Sequence, residues 1–431
     1  MVKRSTSIFL ILFALVLANC NDSTSPAGTE TSYPLPTTTH EEPSPTRKPQ
    51  PSDTPMPPTL TPFTSDIPPG PAIAHFSPGQ EITITTIHMF EPSTGWAIGG
   101  AEDHILITHD GGASWRDVTP PEPAPTGNET QKTALGVFLN PSTAWVTYYP
   151  EFPAWSNPTA IWRTIDAGQT WSASTLPPDE ILFGTHGPLW MHFSDAGHGW
   201  LMLMLDAGMS HVYVTLYRTT DGGVNWEKTI DPYNPDSGNL HICCQTGADF
   251  YNAKPGLVTF SRGPNESVFI DWTEDGGLSW RSQQLPPPAG MSDTADFNGL
   301  VCETASPILF SPQSAMLTLK CTIEPGTKQQ TINYLYTTED GGLTWETSPF
   351  PGGELLFIER STGWALGRDI FQTLDGGLTW SKIKRVSWDG QFSFVDSQHG
   401  WAVARADEEI ALVKTEDSGR TWIELEPIVG P

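Results

Sequence analysis

One eight-residue pattern constrains this chain more than any other feature. It reads Thr-x-Asp-Gly-Gly-x-Thr-Trp at 338–345 and recurs, with small variations, at 108–115, 164–171, 219–226, 273–280, 373–380 and 415–422, seven copies in all. The aspartate, the second glycine and the tryptophan keep their places in every copy. Apolar β-formers lead into it, as in Ile105-Leu106-Ile107 and Tyr334-Leu335-Tyr336, so a strand precedes each copy. Asp-Gly then sets a tight turn in which glycine supplies the positive φ that other residues resist. The aspartate accepts backbone N–H groups of its own turn, and the tryptophan buries its ring against the hairpin. Asp110, Asp166, Asp221, Asp275, Asp340, Asp375 and Asp417 are therefore read as structural, with no metal and no catalytic role.

A second repeat precedes each copy of the first. Gly95-Trp96, Gly199-Trp200, Gly363-Trp364 and Gly400-Trp401 share a Gly-Trp step, and Ala144-Trp145 is a near match. Gly256-Leu257 and Ala315-Met316 fill the slot in the two weakest repeats. Upstream of each stands a phenylalanine: Phe90, Phe138, Phe193, Phe250, Phe310, Phe357 and Phe394. Each unit reads as four antiparallel strands, with the octapeptide joining the third to the fourth. Seven units predict an all-β fold, a seven-bladed β-propeller over 71–431. The Gly-Trp tryptophans are assigned to packing between blades. The last blade looks complete in itself, and 71–82 is a candidate extra edge strand.

These motifs resemble the Asp-box (bacterial neuraminidase) repeat of sialidases, sortilin and the photosystem II stability and assembly factor-like propellers. The cleanest stretch joins Gly363-Trp364-Ala365 to the octapeptide at 373–380, and the resemblance runs over roughly residues 85–426. It implies a propeller and, in the assembly-factor branch, a scaffold that recognises its partner through a basic face. This chain carries 22 basic against 49 acidic residues, a formal net charge of −27, and shows no arginine cluster. That binding mode does not carry over, and the charge argues against nucleic acid or anionic lipid as a direct partner.

The first residues read as an export signal, 1–20. Lys3 and Arg4 precede an apolar run, Ile8 to Ala18, shorter than the about 20 residues a membrane span needs. Cys20 follows Leu17-Ala18-Asn19 in a setting similar to a bacterial lipobox, which implies a lipidated, membrane-anchored cysteine; Asn19 departs from the small residue usual there. Residues 21–70 are rich in Pro, Thr and Ser and are read as an extended, solvated stalk. The protein is thus expected outside the cytoplasm, in the cell envelope, as a monomer without cofactor. Export permits disulfides, and Cys243, Cys244, Cys302 and Cys321 allow three pairings. Cys302 with Cys321, leaving Cys243 with Cys244, is the first of these; cross-pairing stays open.

Function divides into two classes. A non-enzymatic module that binds or assembles a protein or glycan is the leading reading, and a sialidase-like glycoside hydrolase the alternative. Sialidase chemistry needs three arginines round a substrate carboxylate, because the guanidinium fork binds it bidentately. Arg163 and Arg218 stand just before an octapeptide, at positions that face a neighbouring strand, and Arg116, Arg281 and Arg420 lie in or after one. No nucleophile elbow, zinc motif or phosphate loop is present. A binding face is expected opposite the octapeptides, where the crossings to the next blade open. Those at 115–138, 171–193, 226–250 and 280–310 are much longer than those at 345–357 and 380–394. An off-centre site over the first four blades follows, with Tyr148, Tyr149, Phe152 and Trp155 as loop aromatics at its edge.

Overall fold

The computed structural model describes residues 71–430, apart from 125–131, 151–159, 178–186, 208–211, 235–236, 239, 241–243, 263–267, 289–299 and 324–329. The described residues form strands and turns without a helix, arranged as seven blades round an axis. Blade one runs Ile84–Met89, Gly95–Gly99, His104–Thr108 and Ser114–Asp117 from axis to rim, each strand antiparallel to the last. Its second and third strands are buried at every residue, because each lies between two neighbouring blades. They therefore read as unbroken apolar runs, whereas a rim strand such as Ser381–Arg385 is mostly exposed.

The apolar core is divided into seven buried clusters, one for each seam between adjacent blades. Three rings explain why the two repeats travel together. Phe193 of blade three lies flat on Trp145 of blade two, with centroids 3.6 Å apart. It meets its own octapeptide's Trp226 edge-on at 5.9 Å. Phe250 repeats this between Trp200, at 3.8 Å, and Trp280, and Phe394 between Trp364, at 4.3 Å, and Trp422. Such pairs add about 0.5–1.5 kcal/mol to the area they bury.

The glycine of the Gly-Trp step is what lets the ring in. Phe193 pairs directly with Gly199 across the first two strands, and a Cβ on Gly199 would stand 2.4 Å from the phenyl ring. Blade two has Ala144 opposite Phe138, and there the ring sits 5.4 Å from Trp96. The aligned phenylalanines need one correction. In blades one and five the position opposite the Gly-Trp slot is Met89 and Leu309, with Phe90 and Phe310 one residue further on. A one-residue slip turns a side chain to the other face of its blade, so those two phenylalanines are not in the stacked position.

Blades four and five depart from the pattern. The second strand of blade four, Gly256–Arg262, runs on past its own inner strand and pairs with Leu300–Thr304 of blade five. The two blades thereby form one nine-stranded sheet. Cys302 and Cys321 face each other across neighbouring strands of blade five, Cα atoms 4.2 Å apart, and are joined in a disulfide inside this seam. Cys244 is also disulfide-bonded, and Cys243 lies outside the described residues.

Ring closure does not borrow a strand from the last blade, which is complete through Ile423–Leu425. Instead Ile428–Val429 runs parallel to Ser114–Asp117 on the rim of blade one. The segment 71–82 does not itself take that edge; it clasps the C-terminal pair. Gly79 N–H donates to Val429 O, and Val429 N–H to Gln80 O, both at 2.8 Å. At its other end Ile73 N–H donates to Glu122 O at 2.9 Å. A buried polar knot fixes the middle. His104 Nδ1 lies 2.8 Å from Asp117 Oδ2, Phe76 stacks on the imidazole, and Phe76 N–H donates to the same carboxylate. Burial pushes the Asp117 carboxyl up, but the bonds from His104, Thr119 and Phe76 outweigh it and hold the group at about 2.

Candidate functional site

The octapeptide turns place seven aspartates at equivalent points of one face, hereafter the turn face. Both oxygens of each carboxylate accept bonds from their own turn. In blade five Thr338 donates its hydroxyl to Asp340 Oδ1 at 2.9 Å, and Thr344 gives its amide to the same oxygen and its hydroxyl to Oδ2. The Thr338 oxygen in turn accepts the N–H of Gly342. Blades one, two, four, six and seven repeat this set with Ser or Thr, and blade three uses Asn225. The Thr344 and Thr379 hydroxyls and amides hold Asp340 and Asp375 at about 2. The donors of the turn hold these groups in the charged form, so they are poor proton donors.

Four of the basic residues that border the turns bridge seams, while Arg420 donates to Asp417 O of its own turn. Arg116 donates to Ala167 O of the next blade, Arg163 to Ala196 O, and Arg281 to Gly341 O. Lys384 does the same to Arg420 O. Arg163 also covers the Trp145 ring, and Lys414 the Trp401 ring. The tryptophans complete the latch: Trp145, Trp200 and Trp401 donate to the carbonyls of Gly222, Gly276 and Gly111 in the following blade. At the first seam Arg116 already occupies the Ala167 carbonyl, and Trp96 donates to Asn140 O instead. These guanidinium groups are spread round the rim, each on its own seam, and do not converge.

The axis carries a second ring. The residue before the ring slot of each inner strand faces the next blade: His88, His192, Asp249 and Ser393 are its polar members. Ser393 Oγ accepts Met89 N–H and Asp249 Oδ2 accepts Leu309 N–H, so both cap the free edge of the following inner strand. His192 Nε2 lies 3.5 Å from Asp249 Oδ1. Burial lowers the imidazole and raises the carboxyl, each against the pull of the other. His198 does not join them; its Nδ1 is 2.9 Å from Asp195 in the turn beyond. Among the described residues no cluster of three potential metal ligands is found.

The sequence-predicted loop aromatics separate. Tyr148 is not a loop residue: it lies in the strand Ala144–Pro150, is 2% exposed, and donates its hydroxyl to Asp103 O of blade one. Its place at the edge of a binding site is withdrawn, since its ring packs the first seam. Tyr149, next along the same strand, is half-buried. Phe152, Trp155 and Cys20 lie outside the described residues. The turn face carries one feature outside the sequence-predicted site. The variable sixth position of the octapeptide is leucine in three successive blades, Leu278, Leu343 and Leu378, and all three are exposed. Their common register in the repeat was the available signal.

No family model matches the chain, and no curated protein matches it. Solved structures similar to it include YCF48 from Cyanidioschyzon merolae, 15% identical over 79% of this chain and 97% of that one, with a TM-score of 0.42. An oligogalacturonate lyase from Vibrio parahaemolyticus is 9% identical over 79% of this chain and 90% of its own, with a TM-score of 0.48. The GH93 alpha-L-arabinofuranosidase of Fusarium graminearum is 13% identical, covering 70% of this chain and 95% of its own at a TM-score of 0.41. The likeness at these identities is one of fold, and it spans enzymes as well as YCF48.

Proposed function

We propose that this protein is an extracytoplasmic Asp-box propeller that binds or assembles a protein or glycan without transforming it. It is anchored through lipidated Cys20 and carried on the 21–70 stalk. The observation that supports this reading is the use to which the repeat puts its reactive groups. Both oxygens of each turn aspartate accept bonds from their own turn, and Arg116, Arg163 and Arg281 donate to neighbouring-blade carbonyls. A sialidase-like hydrolase would need such groups free and convergent. The binding site is placed on the face opposite the turns, above the first four blades, with Tyr149, Phe152 and Trp155 at its edge.

Three experiments test the reading. Purified full-length protein is screened against a glycan array and against fluorogenic sialosides and other aryl glycosides; binding without turnover is expected, and sustained hydrolysis overturns it. The double variant Tyr149→Ala and Trp155→Ala is then compared with wild type for binding and for melting temperature. Loss of binding at unchanged melting is expected, whereas a large fall in melting shows that these rings only pack. Mass spectrometry of the mature N-terminus checks the anchor, which predicts an acylated Cys20.

A further inference from the structure

The turn face over blades four to six has a composition the fold does not require. Leu278, Leu343 and Leu378 are 46, 67 and 75% exposed, and Leu374 in the last of these turns is 68% exposed. The equivalent sixth positions elsewhere are Ala113, Gln169, Val224 and Arg420. None of the three leucine side chains is buried, and the side-chain bonds of each turn are made by its Asp and Thr or Ser residues. Three large apolar residues at one register on consecutive blades form an arc.

The arc is also acidic. Glu274, Glu339, Glu346 and Glu359 are exposed beside it, with Asp375, while Asp275 and Asp340 are half-buried. Glu274 and Glu346 make no ion pair among the described residues, and Glu339 is matched by Arg360 at 2.8 Å. Between the turns of blades five and six lies an open groove lined by Glu339, Glu359, Arg360, Ser361, Asp375 and Gly376. The neighbouring cations are few and partly committed: Arg281 is bonded to Gly341 O, and Lys254 stands at the blade-four turn.

We propose that this arc docks a basic, leucine-rich segment of a protein partner, its apolar residues over the leucines and its Lys or Arg residues over the carboxylates. This rests on the binding-module reading and supplies a partner class for it, on a different face from the aromatic site. Charge decides the occupant. A second copy of this chain would bring the same acidic arc against it, and an anionic membrane would be repelled. The chain's own stalk fits no better: Asp22, Glu30, Glu41, Glu42, Asp53 and Asp66 outnumber Arg47 and Lys48.

The test uses the full-length protein and a labelled synthetic Leu/Lys amphipathic helix of about 18 residues, with a Leu/Glu helix of the same pattern as control. Anisotropy titrations should show binding of the basic helix alone, weakening with salt. The triple variant Leu278→Ser, Leu343→Ser and Leu378→Ser leaves charge unchanged and should raise Kd at least about tenfold, and Glu274→Gln with Glu346→Gln should raise it several-fold. All these positions are exposed, so melting temperature should stay at the wild-type value. Equal binding by the leucine variant overturns the proposal, since the helix then sits elsewhere on an acidic surface. No binding by wild type, a dimer in sedimentation that the leucine variant abolishes, or binding to anionic vesicles overturns it too. None of these results bears on glycan binding or on the Tyr149 variant, which judge the binding-module reading separately.

Discussion

Blade four takes part in two seams held by different chemistry. On its blade-three side, Phe250 lies between Trp200 and Trp280, and Trp200 donates to Gly276 O at 2.8 Å. On its blade-five side the tryptophan is replaced by Leu257, which has neither a large flat face nor a donor. There the backbones themselves pair, Ser261 with Glu303 and Arg262 with Cys302, and the Cys302–Cys321 bridge lies in the same cluster. Side-chain bonds add to it, as Thr246 and Thr304 meet at 3.0 Å and Asp249 takes Leu309 N–H. A seam thus needs a dry, filled interface with its polar groups satisfied, and either stacked rings or strand pairing provides that.

The largest effect should come from removing the ring at the regular seam. Trp200→Ala deletes a fully buried indole and its hydrogen bond, and should cost about 3–5 kcal/mol in urea unfolding, the same amount with and without reductant. If it costs less than 1 kcal/mol, the three-ring account of the regular seam is wrong. At the paired seam the sensitive element is covalent. Cys302→Ser with Cys321→Ser should cost about 2–4 kcal/mol, and reductant should destabilise wild type more than it destabilises the variant.

A third seam, between blades seven and one, is closed by the terminal clasp and should be the one that depends on acidity. Asp117 has its folded value depressed from 3.8 to about 2. Its contribution, about 2 kcal/mol, is therefore complete above pH 4 and lost as pH falls towards 2. The stability gap between wild type and Asp117→Asn, followed by denaturation between pH 6 and about 2, should narrow in that window. A gap that stays constant there would remove Asp117 from the clasp.

The smaller effects sharpen the ring geometry. Gly199→Ala should cost about 1–2 kcal/mol, since blade two already tolerates Ala144 by letting its ring stand off. Near-ultraviolet circular dichroism should report the loss of the Phe193–Trp145 stack. The smallest change has the opposite sign. Ala167 occupies the first glycine slot of its turn at φ 59°, so Ala167→Gly should stabilise the protein by about 1 kcal/mol in thermal denaturation.

Seven repeats of Thr-x-Asp-Gly-Gly-x-Thr-Trp and their Gly-Trp partners specified the blade number and the strand order, because turn chemistry is local and a blade is one hairpin motif repeated. The same locality made it legible that Arg163 and Arg218 stand at strand positions facing a neighbour. What no repeat could state was register across seams. Met89 and Leu309, not Phe90 and Phe310, occupy the ring slot, and that follows from pairing with strands whose ends the sequence does not mark. Tyr148 looked like a loop aromatic because it adjoins a long loop, and only the position of Asp103 on the neighbouring blade makes it core. The clasp of 71–82 on the C-terminal pair joins segments at opposite ends of the chain. Such contacts depend on where the ring closes, and closure is a property of all seven blades together.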